Sequence, residues 1–172
     1  LKVAIEITGA DKGNIQLLDR GSATLRLAAQ SGFDEHFVGF FECVSGDDTA
    51  CGVGLRTKQR VIVEDITKSE MYAGKDSFDA VRAGDVMAVQ SLPLLSSTGN
   101  VLGMVSVHFA HTHRPSEQEL RLMDLLARQT ADYLERKRVE EEREHLLVRE
   151  HELRQSAEEA NRLKDEFLAI MS

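Results

Sequence analysis

Two cysteines are the residues of this chain with the most reactive side chains. Cys43 and Cys51 do not form a Cys-x-x-Cys pair, and a thiol at either position could serve as a nucleophile or a redox switch. No neighbouring residue is of a kind that visibly lowers the pKa of a thiol. The sequence therefore favours a buried structural role for these cysteines.

Three histidines, His108, His111 and His113, lie close together in the sequence. On a strand, side-chain alternation would place His111 and His113 on one face and His108 on the other, so the three imidazoles would not converge on one ion. The pattern favours a surface cluster at a strand end and argues against a metal site. His145 and His151 lie in a charged stretch, where we expect both to be solvated.

Asp65 follows the apolar run Val61–Val63, where a carboxylate could act as a general base or stabilise a turn. Short polar side chains at such positions commonly bind the local backbone, so we expect a turn or a helix cap. A phosphate-binding loop is not predicted, because the segment Gly52–Gly54 lacks the lysine and serine that follow such a loop.

The composition limits the choice of partners. The chain has 172 residues, a net charge of −8 and an isoelectric point near 5.3. This acidity argues against nucleic acid or an anionic membrane surface as a partner. The chain has few cysteines, and charged residues interrupt any apolar run near its start, so no signal peptide is predicted. We therefore expect a cytoplasmic protein. Because the chain starts without methionine and stops within an apolar stripe, we expect a piece of a longer protein.

Apolar periodicity and breaker residues predict a series of short elements that position these side chains. The series is a helix ended by Gly9, strands over 14–18 and 24–29, a helix capped by Asp34, a helix over 49–57, a strand over 61–63, a helix capped by Asp76 or Ser77, and strands over 87–95 and 101–111. The uncharged stretch Val86–Ala110 is split by a turn, so we expect a hairpin and not a membrane span. Hairpins covered by helices predict an α+β fold.

The last third of the chain predicts one long helix. Ser116 and Glu119 form a capping box, and no proline or glycine follows them. At about 1.5 Å per residue this helix would be roughly 85 Å long, too long to pack wholly on the residues before it. We therefore expect it to contact a second copy of the chain, giving a homodimer.

An apolar seam on this helix has a seven-residue spacing, which is typical of a left-handed coiled coil. Polar residues at the companion positions Glu142, Arg149 and Ser156 predict a marginal coiled coil that can change its packing. We call the apolar residues the seam, and they are Val139, Leu146, Leu153, Ala160, Leu163, Phe167 and Ile170.

Residues 1–134 resemble a GAF domain, the small-molecule sensing module of signalling proteins. The resemblance is carried by the segments 13–18, 50–52, 61–66, 91–94 and 102–106. It implies a PAS-like fold with a central antiparallel sheet flanked by helices, and a cavity for a small-molecule ligand. By position it implies a pocket, although the alternative that these residues only form the core stays open. The implied pocket residues are Cys51, Val63, Phe78, Val81, Gln90, Ser91, Pro93, Met104 and Ser106.

The segment Asn161–Ser172 resembles the approach to the phosphoacceptor site of sensor histidine kinases. This resemblance implies that 135–172 is a coiled-coil signalling helix ending just before that site. The implied function is a regulatory sensory module of a two-component phosphorelay, with a response regulator as the partner of the parent kinase. The chain itself would have no phosphotransfer activity.

Other members of the GAF family provide alternatives. Bilin-binding relatives carry a Cys-His pair in the segment matching Ser69–Gly84, which has neither residue here, so a bilin is not expected. The signature of the relatives that bind cyclic nucleotides is also absent. Two alternatives stay open, a cysteine-based redox enzyme or sensor that uses Cys51 or Cys43, and a ligand-free dimerisation spacer. The identity of any cofactor or ligand is unknown at this stage.

The coiled-coil hypothesis predicts the association state of a shortened chain. Sedimentation should give a dimer for residues 1–172 and weaker association for a chain ended at Leu134, because the shortened chain lacks the seam. Monomers in both cases would contradict the hypothesis.

Overall fold

The computed structural model describes residues 1–44, 46 and 48–171. The helices are α1 (Lys2–Thr8), α2 (Glu35–Phe41), α3 (Ala50–Thr57), α4 (Asp76–Ala83) and α5 (Glu117–Met171), with a 3₁₀ turn at Ile66–Lys68. The strands are β1 (Lys12–Asp19), β2 (Thr24–Ser31), β3 (Cys43–Val44), β4 (Val61–Val63), β5 (Ala88–Leu95) and β6 (Val101–Phe109). The predicted α+β fold with an antiparallel sheet is confirmed.

The six strands form one curled sheet in the order β3-β2-β1-β6-β5-β4. All neighbouring strands are antiparallel, and Asn14 on β1 pairs with Ser106 on β6, which pairs with Ser91 on β5. Because side chains alternate along a strand, these three point to one face, while Gly13 and Gln90 point to the other.

Helices cover both faces of the sheet. On the face of Asn14, α3 packs on β4, β5 and β6, and α2 packs on β2 and α4. The core on this side is formed mainly by Leu25, Phe37, Cys51, Ile66, Tyr72, Val81, Val89 and Met104. On the other face, α1 packs on β1 and β6. Coverage on both sides explains why the β5–β6 hairpin carries no charged residue.

Side-chain caps fix where several of these elements begin. Asp34 Oδ1 accepts a hydrogen bond from the Phe37 amide at 2.8 Å, and Thr49 Oγ1 accepts from the Gly52 amide at 3.1 Å. Asp65 Oδ1 accepts from the Thr67 amide at 3.0 Å, which confirms its predicted turn role. The hydrogen bonds to Thr67 also lower the pKa of the Asp65 carboxyl.

Three sequence-based details were wrong. The N-cap of α4 is Lys75, which makes no side-chain capping bond, and the expected cap Ser77 donates through its Oγ to the Asp48 carbonyl oxygen at 2.6 Å. The two-residue strand β3 was missed, since it is too short to show a periodicity. Strand β6 ends at Phe109, so His111 lies outside the sheet.

Helix α5 begins with the predicted capping box. The Ser116 amide donates to Glu119 Oε2 at 2.7 Å, and the Glu119 amide donates to Ser116 Oγ at 3.3 Å. The chain divides into two compact units, Leu1–Tyr133 and Leu134–Ser172, and α5 spans the boundary. No helix in the described part of the chain is apolar over a length that could cross a membrane.

The seam is exposed to solvent along the second unit. The side chains of Val139, Leu146, Leu153 and Leu163 are between 57% and 64% exposed. Ala160 is also exposed. Phe167 and Ile170 belong to the helix, but their side chains lie outside the described part, as does Ser172.

Gly103 gives a test of the central β1–β6 pairing. A Cβ atom at this position would collide with the Gln16 carbonyl oxygen and would lie 3.1 Å from the Leu17 Cα. Gly103→Ala should therefore lower the free energy of unfolding by roughly 1–3 kcal/mol, measured by urea denaturation.

Gly39→Ala in α2 is the matched control, because a Cβ atom at Gly39 would meet nothing within 4 Å. This variant should be neutral or more stable by up to about 1 kcal/mol. An unchanged urea midpoint for Gly103→Ala would show that the two strands do not approach so closely in solution.

Candidate functional site

A small void lies between the polar face of the sheet and the helices that cover it. Its volume is about 10 Å³, which is room for about one water molecule. Strands β1, β5 and β6 form its floor, and the segments around α2, α3 and α4 form its walls. The lining residues are Asn14, Phe41, Thr49, Ala50, Cys51, Tyr72, Val81, Val89, Ser91, Ser106 and His108.

The floor of the void is polar because three neighbouring strands place short polar side chains in one row. Asn14, Ser106 and Ser91 pair directly across β1, β6 and β5. The Ser91 and Ser106 hydroxyl oxygens are 2.7 Å apart and share a hydrogen bond. Asn14 is 3% exposed, and its Oδ1 has no hydrogen-bond partner among the described residues. An unsatisfied buried acceptor is costly, so this floor is suited to a hydrogen-bonding occupant.

His108 is the buried histidine of the site. It is 6% exposed and lies edge-on to the rings of Phe33 and Phe37, with centroid distances of 4.9 and 5.9 Å. Burial, together with the smaller effect of the nearby Lys12 charge, lowers the pKa of the imidazole to about 3. The ring is therefore neutral at physiological pH, and its Nδ1 has no partner among the described residues.

Cys51 lines the void as a weakly polar wall. Its sulfur lies 3.1 Å from Thr49 Oγ1. Burial raises the pKa of the thiol, so at neutral pH it is protonated and a poor nucleophile. The Tyr72 hydroxyl accepts a hydrogen bond from the Ala50 amide at 3.3 Å, and burial raises its pKa as well. The Cys51 thiol and the Tyr72 hydroxyl are therefore both uncharged at neutral pH.

The void brings together four of the pocket residues expected from the sequence, namely Cys51, Val81, Ser91 and Ser106. Val63 and Met104 belong to the adjoining core, and Phe78 packs against it. Pro93 pairs with Met104 but lines a different groove.

Gln90 lies on the opposite face of the sheet from the void. It is next to Ser91 in a regular part of β5, so the two side chains point in opposite directions. The Gln90 side chain is 1% exposed, and neither its amide nitrogen nor its amide oxygen has a partner among the described residues.

Sequence reasoning missed Asn14, Thr49, Tyr72 and His108 as lining residues. The prediction that His108 belongs to a surface cluster was wrong, because β6 is covered on both faces. A signal was present, since polar residues that alternate with apolar ones in a covered strand must point into a shared interior. The local sequence pattern alone did not show that helices cover both faces of β6.

The other histidines of the segment form a contact at the start of α5. His113 stacks on Phe109 with a centroid distance of 3.8 Å, and its Nε2 lies 2.9 Å from Glu119 Oε1. His111 lies edge-on to His113 at 6.2 Å. Within the described residues no group of three or more His, Cys, Asp or Glu side chains could hold a metal ion.

A groove of about 450 Å³ adjoins the void, and Thr49 lines both. Exposed Cys43 lies in this groove, together with the α4 N-cap Lys75 and with Ser77 in the first turn of α4. The shared lining makes this groove the candidate entrance to the void.

A second groove, of about 600 Å³, lies beside the first turns of α5, and several of its polar side chains are already hydrogen-bonded within the protein. Two of its three cationic side chains, those of Arg60 and Lys58, are already engaged. Arg60 Nη2 donates to the Leu120 carbonyl oxygen at 3.2 Å and to the Asp124 carboxylate, and Lys58 Nζ donates to the Gly99 carbonyl oxygen at 3.2 Å. This groove therefore joins α5 to the sheet, and the polar void remains the candidate site.

The buried imidazole predicts that stability is lost on mild acidification. Unfolded histidine binds a proton near pH 6.5, whereas His108 in the fold does so only at about pH 3. The free energy of unfolding should thus fall as the pH is lowered through this window, by up to about 1.4 kcal/mol per unit.

Urea denaturation at pH 7, 6 and 5 measures this loss, and His108→Gln should show a smaller slope. This range lies above the titration of most carboxylates, so their contribution is small. Equal slopes in both proteins would contradict a buried neutral imidazole.

Comparison with known proteins agrees with this geometry. A domain assigned to a two-component sensor histidine kinase of Sinorhizobium meliloti 1021 is 21% identical, with a TM-score of 0.70 over 84% of this chain and 91% of that one. The GAF domain of a phosphoenolpyruvate-protein phosphotransferase from Coxiella burnetii is 18% identical, with a TM-score of 0.67 over 79% and 78%. The type II free methionine-R-sulfoxide reductase of Thermoplasma acidophilum is 15% identical, with a TM-score of 0.55 over 77% and 82%.

At these identities the likeness shows the fold alone. Among curated proteins, none matches the chain. The family model for the GAF domain matches residues 1–135, which is most of the chain. The sheet and the helices that enclose it are thus those of a GAF domain, and the chain belongs to the GAF domain family.

Proposed function

We propose that this chain is the regulatory sensory module of a two-component sensor histidine kinase. In this proposal the protein is cytoplasmic and dimerises through α5, and an input at the GAF domain changes the packing of that helix pair and so the activity of the kinase core. The chain has no catalytic activity of its own. The observation that carries the proposal is the exposed seam, with Val139, Leu146 and Leu153 seven residues apart.

The seam favours a second copy of the chain because the helix has little else to stabilise it. Ion pairs along its surface, such as Lys137 with Glu141 at 3.7 Å and Arg154 with Glu158 at 3.0 Å, contribute only about 0.3–0.5 kcal/mol each. Burying one Val or Leu side chain contributes about 1.5–3 kcal/mol. Two identical helices with a seven-residue repeat bury the same stripe against each other.

Contacts at the start of α5 provide a route from the void to the helix. Ser91 lines the void and pairs with Val61 on β4. Directly before β4 in the sequence, Arg60 donates to the Leu120 carbonyl oxygen and the Asp124 carboxylate. Directly after β4, the Glu64 carbonyl oxygen accepts a hydrogen bond from the His113 amide at 3.1 Å.

A displacement of β4 would therefore act on the first turns of α5 through two separate hydrogen-bonded connections. The input can shift the equilibrium between the two packings of the helix pair only by as much as its affinities for the two packings differ.

A cysteine-based redox enzyme is not favoured by the geometry of the described residues. Cys51 is buried and burial raises its thiol pKa, which is the opposite of what a nucleophile needs. Cys43 is exposed, but it lies outside the void.

Insertions into α5 test whether the helix transmits a rotation. One residue added after Glu144 rotates everything downstream by about 100°, whereas seven added residues make close to two turns and nearly restore the facing stripe. In a kinase that carries this chain, the first insertion should abolish or lock autophosphorylation, and the second should largely preserve its regulation.

Autophosphorylation and phosphotransfer to the response regulator give the readout. The two insertions lengthen the helix by only about 1.5 and 10.5 Å. A flexible tether would tolerate both, so normal regulation in both variants would contradict rigid transmission.

A further inference from the structure

The void is lined only by neutral side chains among the residues that the structure describes. No Lys, Arg, Asp or Glu is among them, and the His108 imidazole is neutral. Lys12 is a nearby cation, but its Nζ donates to the Gly84 carbonyl oxygen at 2.6 Å and lies 5.9 Å from the centre of the Phe33 ring. A buried charge without a partner of opposite sign is strongly disfavoured. An occupant of this void must therefore be uncharged.

Some polar atoms of the lining residues have no hydrogen-bond partner, and an occupant could supply one. Two residues of the lining, Asn14 and His108, each hold a buried polar atom, Oδ1 and Nδ1, that has no partner among the described residues. An amide oxygen only accepts, so the occupant has to donate an N–H or O–H to Asn14. The Ser91 and Ser106 hydroxyls use one of their two protons on each other, which leaves one donor and several lone pairs. The complementary molecule therefore carries both a donor and an acceptor.

The size of the void limits the occupant further. A volume of about 10 Å³ holds about one water molecule, and the Phe41 and Tyr72 rings form part of the wall. Phe41 stacks on Phe37 with a centroid distance of 4.3 Å, so widening the void on that side requires this pair to move. Any molecule larger than water therefore requires the wall to move, and a nucleotide or a tetrapyrrole would require the aromatic wall to be rebuilt.

We infer that the void binds a small uncharged molecule that donates a hydrogen bond to Asn14 and accepts one from the serine hydroxyls, as a primary amide does. This inference rests on the proposed sensory function, because it names the chemical class to which the module responds. It separates this domain from a sensor of anionic metabolites, which would need a buried cation in the lining.

Acetamide and acetate test the inference as a pair, because they have nearly the same shape and differ in charge. Each is titrated into the full chain and followed by amide ¹H–¹⁵N NMR. Acetamide should produce saturable shifts at Asn14, Ser91, Ser106 and His108 in the millimolar range, and acetate should produce none at these positions.

Two leucine variants supply the matched control. Asn14→Leu removes the acceptor in the void and should weaken acetamide binding about fivefold or more. Gln90→Leu removes a buried amide that also lacks partners, but on the opposite face of the same sheet, and should leave the affinity unchanged. If Asn14→Leu does not fold, Ser106→Ala removes a hydroxyl from the same floor and should weaken binding in the same direction.

Three results would overturn the inference. These are the absence of saturable shifts with acetamide, acetate binding of equal strength at the same residues, and acetamide binding that Asn14→Leu and Ser106→Ala leave unchanged. Each leaves the proposed transmission through α5 intact, since the insertion experiment does not depend on ligand class. Conversely, acetamide binding together with normal regulation in both insertion variants would support the inference and contradict the rigid transmission.

Discussion

The pairing of β1 with β6 is the constraint on which the rest of this domain depends. It joins two hairpins that are far apart in the chain, β1–β2 and β5–β6, into one sheet. The strands approach so closely at Gly103 that a side chain there would meet the β1 backbone. The same register aligns Asn14, Ser106 and Ser91 in one row, so the polar floor of the void follows from the contact that holds the sheet together.

Local sequence signals predicted the elements well because their causes are local. The left-handed conformation at Gly9 that ends α1, the caps by Asp34 and Thr49, and the capping box at Ser116 each involve residues within four positions of one another. The alternation in β1 was recognisable from its residue types, although the polar Asn14 and Gln16 are more buried than the apolar Ile15 and Leu17. Short pieces such as β3 carry too few residues for any pattern to be recognised.

The site was predicted only in part, because its members come together through long-range pairing. Tyr72 reaches the Ala50 amide across 22 positions of sequence, and Gln16 Nε2 reaches the Phe41 carbonyl oxygen across 25. The resemblance to a family gave the right region of β5, but the adjacent residues Gln90 and Ser91 point to opposite faces. The buried state of His108 depends on the phenyl rings of Phe33, just before α2, and of Phe37 in α2, and both residues are far from His108 in the sequence.

The polar lining of the void has a cost for the stability of the fold. Asn14 and His108 each bury a polar atom without a partner among the described residues, and such groups lower stability. Apolar side chains of similar size would make a better core at both positions. Sites that bind a ligand often retain this kind of destabilising feature, because the occupant then satisfies what the fold leaves open.

The two edges of the sheet have a consequence for how the protein behaves at high concentration. Its edge strands are β3 and β4, of two and three residues, while the four inner strands have eight or nine. An exposed edge is a template on which another polypeptide can add a strand, and a long flat edge is the usual starting point of amyloid-like growth. With edges this short, few backbone groups are presented in register to an incoming strand. Once folded, the domain can therefore keep a strongly apolar hairpin, β5–β6, at the centre of its sheet without offering it to other chains.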